Sequence, residues 1–111
     1  MNLILALDPG TAETGWCIFD GERVRASGIE QNAGIFDVMS SSGAELLAIE
    51  MIASYGMPVG RETFETCRWI GRFQQAWRDP DAVKFIYRRD VKLELCGSAR
   101  EGSARPASAD R

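Results

Sequence analysis

The apolar run Leu3–Leu7 (LILAL) stops at Asp8-Pro9-Gly10. A continuous apolar run of that length, bounded by turn residues, predicts a central strand covered on both faces. Thr14–Phe19 reads as a second strand, closed by the hairpin signal Asp20-Gly21, and Arg23–Gly28 alternates well enough to be its antiparallel partner. Gln31–Gly43 is weakly patterned: Ile35, Phe36 and Met39 stand at helical spacing among poor helix formers, which predicts a short helix or a loop. Ala44–Glu50 is the next strand, and Gly56, Pro58 and Gly60 break the loop after it. Arg61–Trp77 is the strongest helix, with Phe64, Cys67, Ile70, Gly71, Phe73, Gln74 and Trp77 recurring at threes and fours. Val83–Tyr87 is a fifth strand, and Asp90–Cys96 is expected to form a turn or two of helix. From Gly97 onward no large apolar residue occurs, so residues 97–111 are expected to be a mobile tail beside a domain of residues 1–96.

With 111 residues, the chain is long enough for one domain and one core. Charge divides it. Residues 1–60 hold two arginines against eight acids, whereas residues 61–100 hold nine basic and six acidic side chains. The net charge of −3 and pI near 4.9 argue against coating nucleic acid by bulk electrostatics, yet leave room for a local arginine set. Cys17, Cys67 and Cys96 are odd in number and lack CxxC spacing, so buried thiols are expected rather than disulfides or a zinc site. No apolar run approaches the ~20 residues needed to span a bilayer, and no signal peptide opens the chain. A reducing cytoplasm and no membrane partner are therefore expected.

Two acids end apolar strands: Asp8 after LILAL and Glu50 after LLAI, in a chain without histidine. Neighbouring strands lie only ~5 Å apart, so carboxylates at adjoining ends can share an oxygen-liganded ion such as magnesium. Two metals about 4 Å apart hydrolyse phosphodiesters when several such carboxylates hold them. Asp8 is the better candidate, because the Asp-Pro-Gly turn is expected to stop the strand there. A turn-forming Asp is the plainer structural reading of Asp8, and a solvated edge residue is an equal reading of Glu50 taken alone.

Leu5–Phe19 (LALDPGTAETGWCIF) resembles the first motif of the RuvC-like Holliday junction resolvases, Leu47–Glu50 the second, and Asp90–Gly97 (DVKLELCG) the Val-Lys segment before their last helix. The block IEMIASYGMPVGRETFETCRWIGRF is similar to small phage and prophage RuvC-like proteins. The resemblance spans about residues 3–100. It implies a ribonuclease H-like α/β fold, a five-stranded mixed sheet of order 3-2-1-4-5 with flanking helices. It implies a homodimeric endonuclease cutting branched DNA with Mg2+, for which Mn2+ can substitute. Asp8 and Glu50 would be catalytic metal ligands, with Lys92 near the active site. Thr11, Tyr55, Arg61, Arg68 and Arg72 would contact nucleic acid, although a packed loop aromatic and a solvated helix face are the plainer readings of Tyr55 and the arginines.

The chain departs from that pattern at its end. Where the family carries an amphipathic helix with further catalytic aspartates, this sequence has Ala99–Arg111, with Glu101 and Asp110 but no helical apolar stripe. A truncated or frame-shifted product is the expectation, with the last helix missing, a sheet face left open to self-association, and an incomplete acid set expected to weaken both metal affinity and catalysis. Three other readings stay open. A catalytically silent nucleic-acid-binding or dimerising remnant fits the missing acids. A pre-ribosomal RNA nuclease of the same superfamily shares the first motif. The Asp8–Thr11 loop also resembles the first phosphate loop of actin-like ATPases, whose two-domain architecture needs far more chain.

Overall fold

A computed structural model describes residues 2–53 and 56–87. Within them the chain forms β1 (Ile4–Pro9), β2 (Glu13–Phe19), β3 (Val24–Gln31), α1 (Asn32–Ser41), β4 (Leu46–Met51), α2 (Arg61–Ala76), a 3₁₀ turn (Pro80–Ala82) and β5 (Lys84–Tyr87). The sheet order is β3-β2-β1-β4-β5, with β1–β3 an antiparallel meander and β1, β4 and β5 parallel. The predicted strand set and order are those observed.

The core lies on one face of this sheet. Leu5 and Leu7 of β1 and Leu47 and Ile49 of β4 are buried against Ile35 and Met39 of α1, Ile70 and Phe73 of α2, and Trp77 just after α2. The two helices meet through Phe36, whose ring centroid lies 5.3 Å from that of Phe73 and 6.3 Å from that of Trp69. Alternate residues face the other way: Ile4, Ala6 and Asp8 on β1, register-matched to Phe19, Cys17 and Gly15 on β2. Both described helices pack on the first face, so the expected two-sided cover of β1 is one-sided among the described residues. The continuous apolar run makes both faces of β1 apolar without saying which helices exist to cover them.

Several boundaries differ from expectation. Strand β1 does not stop at Asp8 but stays paired through Pro9, opposite Thr14. Proline lacks an N–H yet fits the last position of a strand, so the turn proper is residues 10–12. Strand β3 runs on to Gln31 and passes directly into α1, because its far end is held by the Glu13–Gln31 pair and by the Asn32 N–H donating to the Ala12 carbonyl over 2.9 Å. The weak pattern at 31–43 resolves as a full helix whose stability comes from burying Ile35 and Met39. On α2 the expected stripe is rotated. Thr66, Ile70 and Phe73, with Trp77 just beyond the helix, face the core, while Phe64 and Cys67 lie outside. Cys67 is thus exposed and Cys17 half-buried, correcting the expectation of two buried thiols; burial still pushes the Cys17 thiol pKa up. No described helix is long and apolar enough to cross a membrane. The expected helix at 90–96 and the tail at 97–111 lie outside the described residues.

Candidate active site at the ends of two parallel strands

Strands β1 and β4 pair in parallel with Ala6 opposite Ala48 and Leu7 opposite Ile49. One step further along each strand come Asp8 and Glu50. In-register residues on adjacent strands share a face, so the two carboxylates stand side by side on the face away from α1 and α2. The partner of Asp8 on its other flank is Gly15, which places no side chain there; a Cβ on Gly15 would lie 3.8 Å from that of Asp8. Asp8 is exposed and Glu50 half-buried.

A tightly built turn follows Asp8. Gly10 is required sterically: a Cβ there would fall 2.6 Å from the Glu13 carbonyl oxygen, so its role in this fold is close backbone approach. Asn32, the first residue of α1, donates through its side-chain amide to the carbonyls of Gly10 (3.0 Å) and Thr11 (3.1 Å). Its Oδ1 accepts a short hydrogen bond from the buried Thr14 hydroxyl. The Thr11 hydroxyl lies 3.3 Å from that of Thr66 and 3.5 Å from the Glu62 carbonyl, which brings the first turns of α2 against the same turn.

The other candidate residues are distributed differently. Arg61 opens α2 in a 3.7 Å ion pair with Glu65, and Arg68 is exposed further along the same helix. Arg72 is stacked 4.1 Å over the Trp69 ring, with Phe36 at 5.6 Å. The structure therefore brings Asp8 and Glu50 together, and ties Thr11 to α2 near Arg61, while Arg72 belongs to the aromatic patch over the helix pair. Tyr55 and Lys92 lie outside the described residues. Sequence reasoning missed Asn32, Thr14 and Thr66, which organise the turn. The one available signal was an Asn placed between a strand and an apolar helical triplet.

Two adjoining carboxylates supply hard oxygen donors, a set that fits Mg2+ or Mn2+ better than a thiol- or imidazole-preferring ion. No cluster of three or more metal-ligating side chains occurs among the described residues, so this pair would hold an ion with water completing its shell.

Neither a protein-family model nor a curated protein matches the sequence. Solved structures do match. The Thermus thermophilus RuvC structure aligns with a TM-score of 0.65 at 15% identity, covering 86% of this chain and 69% of that one. T. thermophilus RuvC in complex with a Holliday junction substrate aligns with a TM-score of 0.70 at 14% identity, covering 89% of this chain and 73% of that one. Together with the 3-2-1-4-5 mixed sheet, this likeness establishes the architecture: the chain has a RuvC-like, ribonuclease H-like fold.

Proposed function

We propose that the chain is a metal-dependent endonuclease of RuvC type acting on branched DNA, with Asp8 and Glu50 as the ligands of Mg2+ or Mn2+. One observation carries the reading: in a RuvC-like fold, these carboxylates stand near the ends of adjacent parallel strands, one register step beyond Leu7 and Ile49. The likeness to a RuvC bound to a Holliday junction supports branched DNA as the substrate class. A divalent ion bound there supplies an activated water and offsets charge on the phosphate. Asp8, exposed on the sheet face that no described helix covers, is the ligand reachable from solvent, and half-buried Glu50 is the more constrained of the two. Arg61 and Arg68 would contact phosphates and set register without reading sequence. Thr11 would join them from the turn, with Lys92 near the scissile phosphate and Tyr55 where the DNA enters. A junction presents two equivalent cuts, so a homodimer placing one site on each is part of the proposal.

A second reading, a catalytically silent branched-DNA-binding domain, draws on the acid set: the described residues supply a pair of carboxylates and no larger cluster. Incubation of an end-labelled four-way junction in Mg2+ and in Mn2+, beside a linear duplex and a structured RNA, separates the readings. The expected result is symmetric junction cleavage that disappears in Asp8→Asn and Glu50→Gln while junction binding persists. Folded protein that binds the junction but leaves it intact in both metals supports the silent reading. Preferential cutting of the RNA, or no preference for any branched substrate, overturns the proposal.

A further inference from the structure

The backbone of the turn after Asp8 is held largely by one buried residue. Asn32 is 2% exposed. Its amide donates to the carbonyls of Gly10 and Thr11, its backbone N–H donates to the Ala12 carbonyl, and its Oδ1 accepts from Thr14 on the returning strand. Three successive turn carbonyls and the first buried residue of β2 are thus fixed to the start of α1. Between this anchor and Asp8 stand only the ladder pairs Pro9–Thr14 and Asp8–Gly15. A Pro-Gly turn without such an anchor samples several backbone states, because glycine populates both signs of φ.

The residue type fits the task. Asparagine offers two donors and an acceptor on one short side chain. Aspartate would set a carboxylate against two carbonyl oxygens, and serine has too few groups for three partners. A metal ligand gains affinity when its backbone is held in the binding geometry before the ion arrives.

We infer that Asn32 is a positioning residue for the Asp8 carboxylate, fixing the end of β1 so that Asp8 and Glu50 present one preformed pair of donors to a divalent cation. This rests on the metal-binding role proposed for Asp8.

Mn2+ alone is the probe. Paramagnetic broadening of amide NMR signals around Asp8 and Glu50, titrated with Mn2+, reports site affinity in the folded molecule without any cleavage assay. Asn32→Ala should weaken Mn2+ binding about tenfold, the lower end for residues that orient a metal ligand. Thr14→Val, which removes only the hydroxyl that orients the Asn32 amide, should weaken it by a smaller factor, and it decides the matter if Asn32→Ala fails to fold. Phe64→Ser, on the outer face of α2, should leave Mn2+ affinity unchanged. Variants that melt at lower temperature yet bind Mn2+ as tightly as the wild type would reduce Asn32 to a support of the fold. If the wild type shows no site that Asp8→Asn removes, the metal role of Asp8 fails first and the inference with it, so the two failures are told apart.

Discussion

Asp8 and Asp20 look alike in the sequence, each an acid before a glycine-containing turn, and the structure gives them opposite tasks. Asp20 builds its turn. Its Oδ1 accepts the backbone N–H groups of Glu22 (2.8 Å) and Arg23 (2.9 Å), Oδ2 meets the Arg25 guanidinium at 2.9 Å, and Gly21 supplies the φ of 100° that follows. The Arg23 and Glu22 N–H groups, then Arg25, lower the Asp20 pKa from 3.8 to about 2. A folded-state pKa below the unfolded value means the carboxylate adds stability above 3.8 and loses it as pH falls toward about 2. Thermal melts of wild type and Asp20→Ala should therefore differ by a constant amount at neutral and mildly acidic pH, with the gap closing below 3.8. A gap that persists to the acid limit would mean the turn depends on something other than the charge. The turn after Asp8 needs no such service from its acid, because Asn32 performs it, and Asp8 is left exposed on the face that no described helix covers.

At the scale of elements, α2 carries two apolar stripes of the same period, and composition alone does not say which one faces the sheet. Phe73 is fully buried among Phe36, Trp69 and the β1–β4 core, whereas Phe64 is 60% exposed. Phe73→Ala should cost about 3–5 kcal/mol of unfolding free energy, while Phe64→Ser should stay within about 0.5 kcal/mol. Equilibrium urea denaturation distinguishes them, and equal losses would mean the helix is rotated. This difference marks where the sequence was legible. Strand order, and the nearness of Asp8 and Glu50 to the ends of adjoining strands, were readable, because continuous apolar runs, turn residues and the motif resemblance act locally. The rotation of α2, the packing of both described helices on one face of β1 and the length of α1 were not, since each depends on what another element leaves unburied. Asn32 was illegible for the same reason: its partners are Gly10, Thr11, Ala12 and Thr14, about twenty positions away along the chain, and no local period records them.

For the whole molecule, charge decides how nucleic acid could be met. The net charge is −3, and the first sixty residues, which carry Asp8 and Glu50, hold eight acids against two arginines. Under the proposed function, the half of the chain that bears the proposed ligands would repel DNA, and attraction would have to come from a few cations on other elements. The proposed cations are Arg61 and Arg68, on the exposed side of a helix whose first turns touch the 10–12 turn through Thr11, Glu62 and Thr66. The 3.7 Å pairing of Arg61 with Glu65 is an exposed one, weak enough to yield to a phosphate. Arg72 is different, since its guanidinium already lies over Trp69. Fluorescence anisotropy of a labelled junction across a salt series should show Arg61→Ala and Arg68→Ala each lowering the slope of log affinity against log salt by about 0.9 for every phosphate left without its cation. Arg72→Ala should leave that slope unchanged and instead reduce stability by about 0.5–1 kcal/mol, the worth of an exposed cation–π pair. A slope that changes only with Arg72→Ala would move the DNA surface down α2, away from Asp8 and Glu50, and would separate binding from the proposed site of cutting.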